Sequence, residues 1–261
     1  MNILCIGDVT GSIGCEFLIK TPPLLKRRED IDICIVNGEN SADGNGITPA
    51  SADMLFAAGA DVITGGNHTF RRKEVFERLD SDEFILRPQN VLGDAPGKGY
   101  CVVDLGRTRV AVINLIGRVY MNDAKNPFTI YDEIIEKLTS DGIKTIIIDF
   151  HAEATAEKKA LGYYLDGKAS AVFGTHTHVA TSDLQILNKG TGFVTDIGMT
   201  GPENSVLGVK SELSIAKIKD GAPIKFELAG GSCQLDGCIF QVDEKSGLCK
   251  SVRSVHLKET T

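Results

Sequence analysis

The sequence lacks a basic excess, a long apolar run, a secretory start and a paired set of cysteines, and each absence narrows what the chain can be. Its 28 lysines and arginines are outnumbered by 35 aspartates and glutamates, for a formal net charge of −7. A sequence-independent grip on long nucleic acid needs a basic surface, so no long nucleic acid is expected as a partner. A small phosphate ester stays open, because bound metal ions supply positive charge locally. No stretch approaches the ~18 consecutive apolar residues of a membrane span. The opening MNILCIGDVTG has no basic start, and its apolar run stops at Gly7 and Asp8, unlike a secretory leader.

The seven cysteines, at 5, 15, 34, 101, 233, 238 and 249, are odd in number and scattered. Cys233 and Cys238 are close in sequence, but no second close pair completes a zinc site. Reduced thiols in a cytoplasmic protein are the expectation. Linkers, low-complexity tracts and internal repeats are absent too, which predicts one domain over residues 1–261. An apolar fraction of 42% with 24% charged residues is that of an ordinary globular chain.

What is present is a series of short β-rich apolar runs: 2–7, 31–38, 61–66, 109–117, 144–150, 169–174 and 192–198. Runs apolar on successive residues predict strands covered on both faces. Between them, 49–60, 129–142 and 155–167 read as helices, the first with Thr48 as its cap and Pro49 at its first position. Strand–helix alternation predicts a layered α/β domain. From about residue 211 the pattern changes. SELSIAKIK, IKFELAGG, CIFQVDEKSG and VRSVHL alternate as antiparallel strands do.

The polar residues fall where strands end. Asp8 follows the first run, Glu39 and Asn40 the second, and Asn67 and His68 the third. His151 ends TIIIDF, and His176 and His178 follow ASAVFG. In an open α/β sheet, residues beyond neighbouring strand ends converge on one crevice, so these are expected to share a site. His176 and His178 are the sharpest pair, since alternate residues of an extended segment face the same way. Two such imidazoles suit one or two metal ions. Asp149 and Glu153 could orient metal-bound imidazoles or simply be solvated carboxylates. His256 reads as a surface or structural residue. The glycines of GDVTGSIG fit neither G-x-G-x-x-G nor a phosphate loop, and HAEAT is not H-E-x-x-H. The polar segment 118–131, with Arg118, reads equally as a rim over the site or as a plain loop.

The order GDVTG, NGEN, GNH, a lone histidine after a strand, then GTHTH resembles the calcineurin-like metallophosphoesterase superfamily. Within it the chain is most similar to the YmdB-like family, described as 2′,3′-cyclic-nucleotide 2′-phosphodiesterases. IGDVTGSIG, VNGENSADGNGIT, RPQN, PGKGY and TDIGMTGP extend the likeness from residue 2 to about 210. Thr10 stands where the wider superfamily has the histidine of Asp-x-His, NHT replaces its Asn-His-Asp/Glu, and Glu39 replaces its bridging Asp. The YmdB-like subgroup shares these departures.

The resemblance implies a four-layer α/β/β/α sandwich with mixed sheets and two metal ions, iron with manganese as a substitute. Asp8, Glu39, Asn40 and His178 would hold one ion, and Glu39, Asn67, His151 and His176 the other. His68 would stay unliganded as the proton donor while a metal-activated hydroxide attacks a small phosphoester, most simply the 2′ bond of a 2′,3′-cyclic nucleotide. Two alternatives remain at this level: another small phosphoester as substrate, or a metal-binding regulatory protein with incidental catalysis. A homo-oligomer is left open.

Overall fold

A computed structural model describes residues 1–121, 124–221 and 223–259. Its layers follow from the alternation of side chains along the strands. In β1 (Asn2–Ile6), Leu4 and Ile6 face one way and Ile3 and Cys5 the other. In β3 (Ile31–Asn37), Cys34 and Val36 oppose Ile33 and Ile35 in the same manner. Both faces are covered, as the runs of successive apolar residues predict.

The first sheet has the order β2 (Asp8–Val9), β11 (Met199–Pro202), β12 (Cys233–Val242), β1, β3, β4 (Val62–Thr64), and β13 (Cys249–Lys258) pairs with β12. The second runs β5 (Tyr100–Asp104), β6 (Arg109–Ile116), β7 (Thr145–His151), β8 (Ala171–Thr175), β10 (Gly192–Val194), β9 (Gln185–Ile186). Each mixes parallel and antiparallel pairs: β1 is parallel to β3 but antiparallel to β12.

Three cores separate four layers. Leu4, Ile6 and Val36 pack against Leu18 of α1 (Gly11–Lys20), Leu25 of α2 (Pro22–Arg28) and Leu55 of α3 (Pro49–Ala57), with Leu79 of α4 (Phe76–Ser81) beside them. Ile3, Cys5, Ile33 and Ile35 meet Val110, Val112, Ile147 and Phe173 across the interior between the sheets. On the far side, Ile113, Ile146 and Ile148 meet Tyr131, Ile134 and Leu138 of α5 (Pro127–Ser140) and Leu161 of α6 (Thr155–Tyr164). The arrangement is the expected α/β/β/α sandwich. Among the described residues no helix is long and apolar enough to cross a membrane.

The tail departs from expectation in two places. SELSIAKIK is not a strand but α7 (Ser211–Asp220), with Glu212 in its first turn, Lys217 and Lys219 in its last, and Gly221 closing it at φ 65°. Acid at the start, base at the end and a left-handed glycine just beyond are helix signals that outweigh the alternation of Leu213 and Ile215. IKFELAGG forms no strand either, contributing only one isolated bridge from Leu228 to Val209. The last two runs do pair as strands, β12 with β13.

The strand ends also meet in a way that a single open sheet does not predict. The strands carrying the candidate residues belong to two sheets. Their convergence comes from stacking: along β7, Ile147, Asp149 and His151 occupy successive inward positions, and along β3 Ile35 and Asn37 do the same. The interior between the sheets is apolar through most of its length and becomes polar at this one end. Asn37, Thr64, Asn114, Asp149 and Thr175 are all fully buried there.

Candidate metal centre

The eight predicted residues gather over that polar end. Asp8 opens β2, Glu39 and Asn40 follow β3, Asn67 and His68 follow β4, His151 closes β7, and His176 and His178 follow β8. One donor atom each from Glu39, His151 and His176 lies within 4.8 Å of the others. His151 Nε2 is 3.3 Å from Glu39 Oε1, 3.0 Å from Asn67 Oδ1 and 3.0 Å from His176 Nδ1. Beside this group, His178 Nε2 lies 3.7 Å from Asp8 Oδ1 and 3.3 Å from Asn40 Nδ2. Asn40 also donates to Glu39 Oε1 at 3.0 Å, which joins the two groups.

The buried network below sets the tautomer of His151. Asp149 accepts hydrogen bonds from Thr175 Oγ1 at 2.7 Å, Thr64 Oγ1 at 2.5 Å and Asn37 Nδ2 at 2.9 Å. With its one proton given to Asp149, Thr175 Oγ1 can only accept from His151 Nδ1, 2.9 Å away. His151 therefore carries its proton on Nδ1 and turns the lone pair of Nε2 toward Glu39, Asn67 and His176. Burial pushes the Asp149 carboxyl up to about 6 against the pull of His151 and these donors. Asp149 thus steers His151 through Thr175, as a supporting carboxylate does behind a ligating imidazole. Glu153 acts on the other ring directly, its Oε2 lying 3.0 Å from His176 Nε2.

Charge and unmet contacts both suit a cation. Burial disfavours a charged His151, yet Glu39, Asp8 and Asp149 outweigh it and draw the imidazole up to about 9. His176, half-buried and facing that imidazole, is pushed down to about 3 by desolvation and by the charge on His151. Burial would also raise Glu39, but His151 and His68 hold it well below the usual carboxylate range, whereas burial leaves Asp8 raised. A proton drawn onto His151 Nε2 and a metal ion compete for the same lone pair. Asp8 Oδ1 and His178 Nδ1 are buried with no hydrogen-bond partner, a costly condition unless a ligand completes it. Gly66 keeps the space open: a Cβ there would lie 2.2 Å from Glu39 Oε2 and 2.4 Å from His151 Nε2. Carboxylate, amide and imidazole donors suit Fe, Mn or Zn. The residues present fit a metal centre.

The two close histidines reach the centre differently from the expectation. Residues 176–178 are not extended; His176 has φ 100° and His178 φ 62°. Left-handed backbone outside glycine costs of order 1–3 kcal/mol per residue and persists only where neighbours over-determine it. Here the His176 N–H donates to Asp8 Oδ2 at 3.1 Å, and the N–H and hydroxyl of Thr177 donate to Asp196 Oδ2 at 3.1 and 2.8 Å. Lys158 Nζ, buried in α6, bonds Asp196 Oδ2 at 2.7 Å and the Thr175 carbonyl at 2.8 Å. Sequence reasoning names neither Lys158, Asp196 nor Thr175. Their signal is a polar residue at an inward strand position or on a core-facing helix turn.

His68 stands apart from this packing. Its Nδ1 donates to Asn40 Oδ1 at 2.9 Å and lies 3.2 Å from Glu39 Oε1, while its N–H donates to Glu39 Oε2 at 2.9 Å. The ring lines a groove of about 440 Å³ with Glu39, Asn40, His176 and His178 at its floor. The segment 118–131 divides: its last residues open α5, Arg118 is exposed, and Asn122 and Asp123 lie outside the described residues. His256, half exposed, pairs with the buried Asp236 at 2.5 Å and touches none of the eight residues.

A family model described as "YmdB-like protein" matches residues 4–255 of this chain. The chain belongs to the YmdB-like family. A relative from Bacillus subtilis (strain 168), named 2′,3′-cyclic-nucleotide 2′-phosphodiesterase, is 44% identical over 246 residues, 94% of this YmdB-like chain and 93% of its own. Two solved structures superpose with TM-scores of 0.93: a hypothetical protein from Thermus thermophilus, 35% identical over 100% of both chains, and a phosphatase from Mycoplasma pneumoniae, 33% identical over 99% of this chain and 93% of that one.

Proposed function

We propose that this YmdB-like chain is a metal-dependent phosphodiesterase that opens 2′,3′-cyclic nucleotides at the 2′ P–O bond and leaves a 3′-phosphate. The reading is carried by the lone pair of His151 Nε2, met by Glu39, Asn67 and His176 beside the unpartnered Asp8 Oδ1. The activity in the name of the Bacillus subtilis relative supports the choice of substrate. Asp8, Glu39, Asn40 and His178 would hold one ion, and Glu39, Asn67, His151 and His176 would hold a second. The proposed metal is iron, with manganese as a substitute. When bound, two such ions neutralise phosphoryl charge and make a water acidic enough to react near neutral pH.

The chain's own residues orient and protonate. Asn40 fixes the His68 ring by accepting from its Nδ1, which leaves Nε2 for the substrate. From there His68 delivers a proton to the departing 2′ oxygen, a contribution typically worth about 10²–10⁴-fold. Asp149, through Thr175, and Glu153 keep two imidazoles aimed, so that little reorganisation is needed. All seven cysteines are free and buried, which supports a reducing, cytoplasmic setting. The family match over residues 4–255 supports treating 1–261 as one domain.

The test is hydrolysis of 2′,3′-cyclic AMP by protein whose metal has been quantified. About two ions per chain and a 3′-AMP product are expected, and Glu39→Gln should lose both ions and turnover. A 2′-phosphate product, or turnover that survives Glu39→Gln, would overturn the reading.

A further inference from the structure

The groove above the centre has a second wall that the reaction does not use. The 207–228 segment supplies Leu207, Lys217, Lys225 and Phe226, and Arg71 faces them from the turn that follows His68. Lys217 Nζ sits 4.2 Å from the centroid of the Phe226 ring and so covers one face. Phe226 is nevertheless 45% exposed and Leu207 47% exposed. Glu227, the adjacent carboxylate, is taken by Lys210 at 2.7 Å. Among the described residues, Arg71, Lys217 and Lys225 form no ion pair.

A 2′,3′-cyclic mononucleotide carries one negative charge, on the cyclic phosphate itself. Two divalent ions over the carboxylates of Asp8 and Glu39 already exceed that charge. Three more cations along the same groove then have nothing to neutralise in a mononucleotide. A ribonucleotide chain does supply it, one phosphodiester per added nucleotide, along with a base for every aromatic face. Cations tracking a backbone beside an exposed aromatic ring are how single strands are held without sequence preference. The acidic balance of the whole chain argues against long nucleic acid, but not against two or three nucleotides on a local basic strip.

We infer that the groove takes the 3′ end of a short oligoribonucleotide bearing a 2′,3′-cyclic phosphate, with Arg71, Lys217 and Lys225 on the upstream phosphates and Phe226 under the preceding base. The inference rests on the phosphodiesterase reading for its chemistry, but its binding arm does not. The terminal cyclic phosphate enters the metal centre, and the strand leaves over the exposed edge of Phe226.

The experiment uses the metal-loaded protein and compares triadenylate ending in a 3′-phosphate with 3′-AMP by calorimetry over a range of salt. Triadenylate should bind at least about tenfold more tightly, with an affinity that falls as salt rises. Replacing Arg71, Lys217 and Lys225 together by alanine should flatten the log–log salt slope by about 1.4, near 0.7 for each of the two upstream phosphates left without a cation. Phe226→Ala should weaken triadenylate about five- to a hundred-fold, as loss of one base stack does. In turnover, the ratio of kcat/KM for the cyclic-ended trinucleotide over 2′,3′-cyclic AMP should fall toward one in both variants. Equal binding of trinucleotide and mononucleotide, or an unchanged salt slope, would overturn the inference. So would a 5′-phosphorylated mononucleotide that matches the trinucleotide, because the cations would then serve a single extra phosphate. Tight, salt-dependent trinucleotide binding without turnover of either substrate would uphold the groove and sink the reading of the centre.

Discussion

The two sheets bring different chemistry to the same place. From the first come the oxygens and amides of Asp8, Glu39, Asn40 and Asn67, together with His68; from the second come the imidazoles of His151, His176 and His178. The manner of support differs too. On the second-sheet side the bracing comes from behind: His151 by Thr175 and Asp149, His176 by Glu153, and the strained turn by Asp196 and Lys158. On the first-sheet side the side chains lean on one another, with Asn40 between Glu39 and His68. Neither half alone brings together the donor atoms of Glu39, His151 and His176. The site is a product of sheet packing, and its rigidity is borrowed mainly from one partner.

The sharpest way to break this comparison is to remove one histidine from each side. His151→Ala should lose metal and activity together. If His68 is the proton donor proposed above, His68→Ala should keep its metal and slow by about 10²–10⁴-fold. Metal analysis beside turnover reads both, and equal metal loss would erase the division of roles.

The bracing itself is tested next. Lys158 is 2% exposed and Asp196 fully buried, so Lys158→Met strands a carboxylate without its partner. Breaking a buried pair in this way costs about 3–5 kcal/mol. Urea unfolding should show that loss, and a change under about 1 kcal/mol would mean that the turn after β8 is held by other contacts. On the first-sheet side the comparable support is the capping box of α3, in which Thr48 accepts from the Ser51 N–H and Ser51 accepts from the Thr48 N–H. Thr48→Ala should cost about 0.5–2 kcal/mol with metal content unchanged. Metal lost in proportion to stability would show the first-sheet side to be as dependent on its scaffold as the second.

The smallest effect is one of pH. Burial works against ionisation of Asp183, but the hydroxyls of Thr195 and Thr181, the Thr195 N–H and Lys159 outweigh it and hold the carboxyl down at about 2. A carboxyl lowered on folding stabilises the protein above its unfolded pKa of about 3.9, and that contribution fades as pH falls toward the folded value. Asp183→Asn should therefore destabilise the protein at neutral pH and converge with the wild type in acid. Parallel stability curves down to about pH 3 would remove Asp183 from the second-sheet bracing.

The strands and the helices between them are legible because each apolar run is covered on both faces and the helices carry boundary signals, such as Thr48 and Pro49. The gathering of Asp8, Glu39, Asn67, His151 and His178 is legible from strand ends, although the reason is not. Single-sheet logic cannot say that β3 and β7 lie in different sheets, since the alternation of Ile35 with Val36 reads the same in either. Thr175 and Lys158 stay hidden for a related cause. A buried threonine or lysine looks like a surface residue until the partner that satisfies it, Asp149 or Asp196, is known in space. The α7 helix is misread because Leu213 and Ile215 alternate as in a strand while Ile215 and Ile218 are spaced as in a helix, and Ile218 ends up 81% exposed, so burial does not select between the two periods.

The pairing of β1 also governs how the molecule is made. This first strand sits between β3 and β12, with Cys5 opposite Cys238, and among the described residues the short strand that begins at Asp8 pairs only with β11. On the ribosome, Ile31–Asn37 emerges early and can meet β1 on one side at once. Its other side waits until Cys233–Val242 has been synthesised. Contacts so distant in sequence form slowly and leave an open strand edge in the meantime. Asp8 is therefore translated well before it can be put in place, and a nascent chain stalled short of β11 has its histidines but not yet Asp8 seated against His176 and His178.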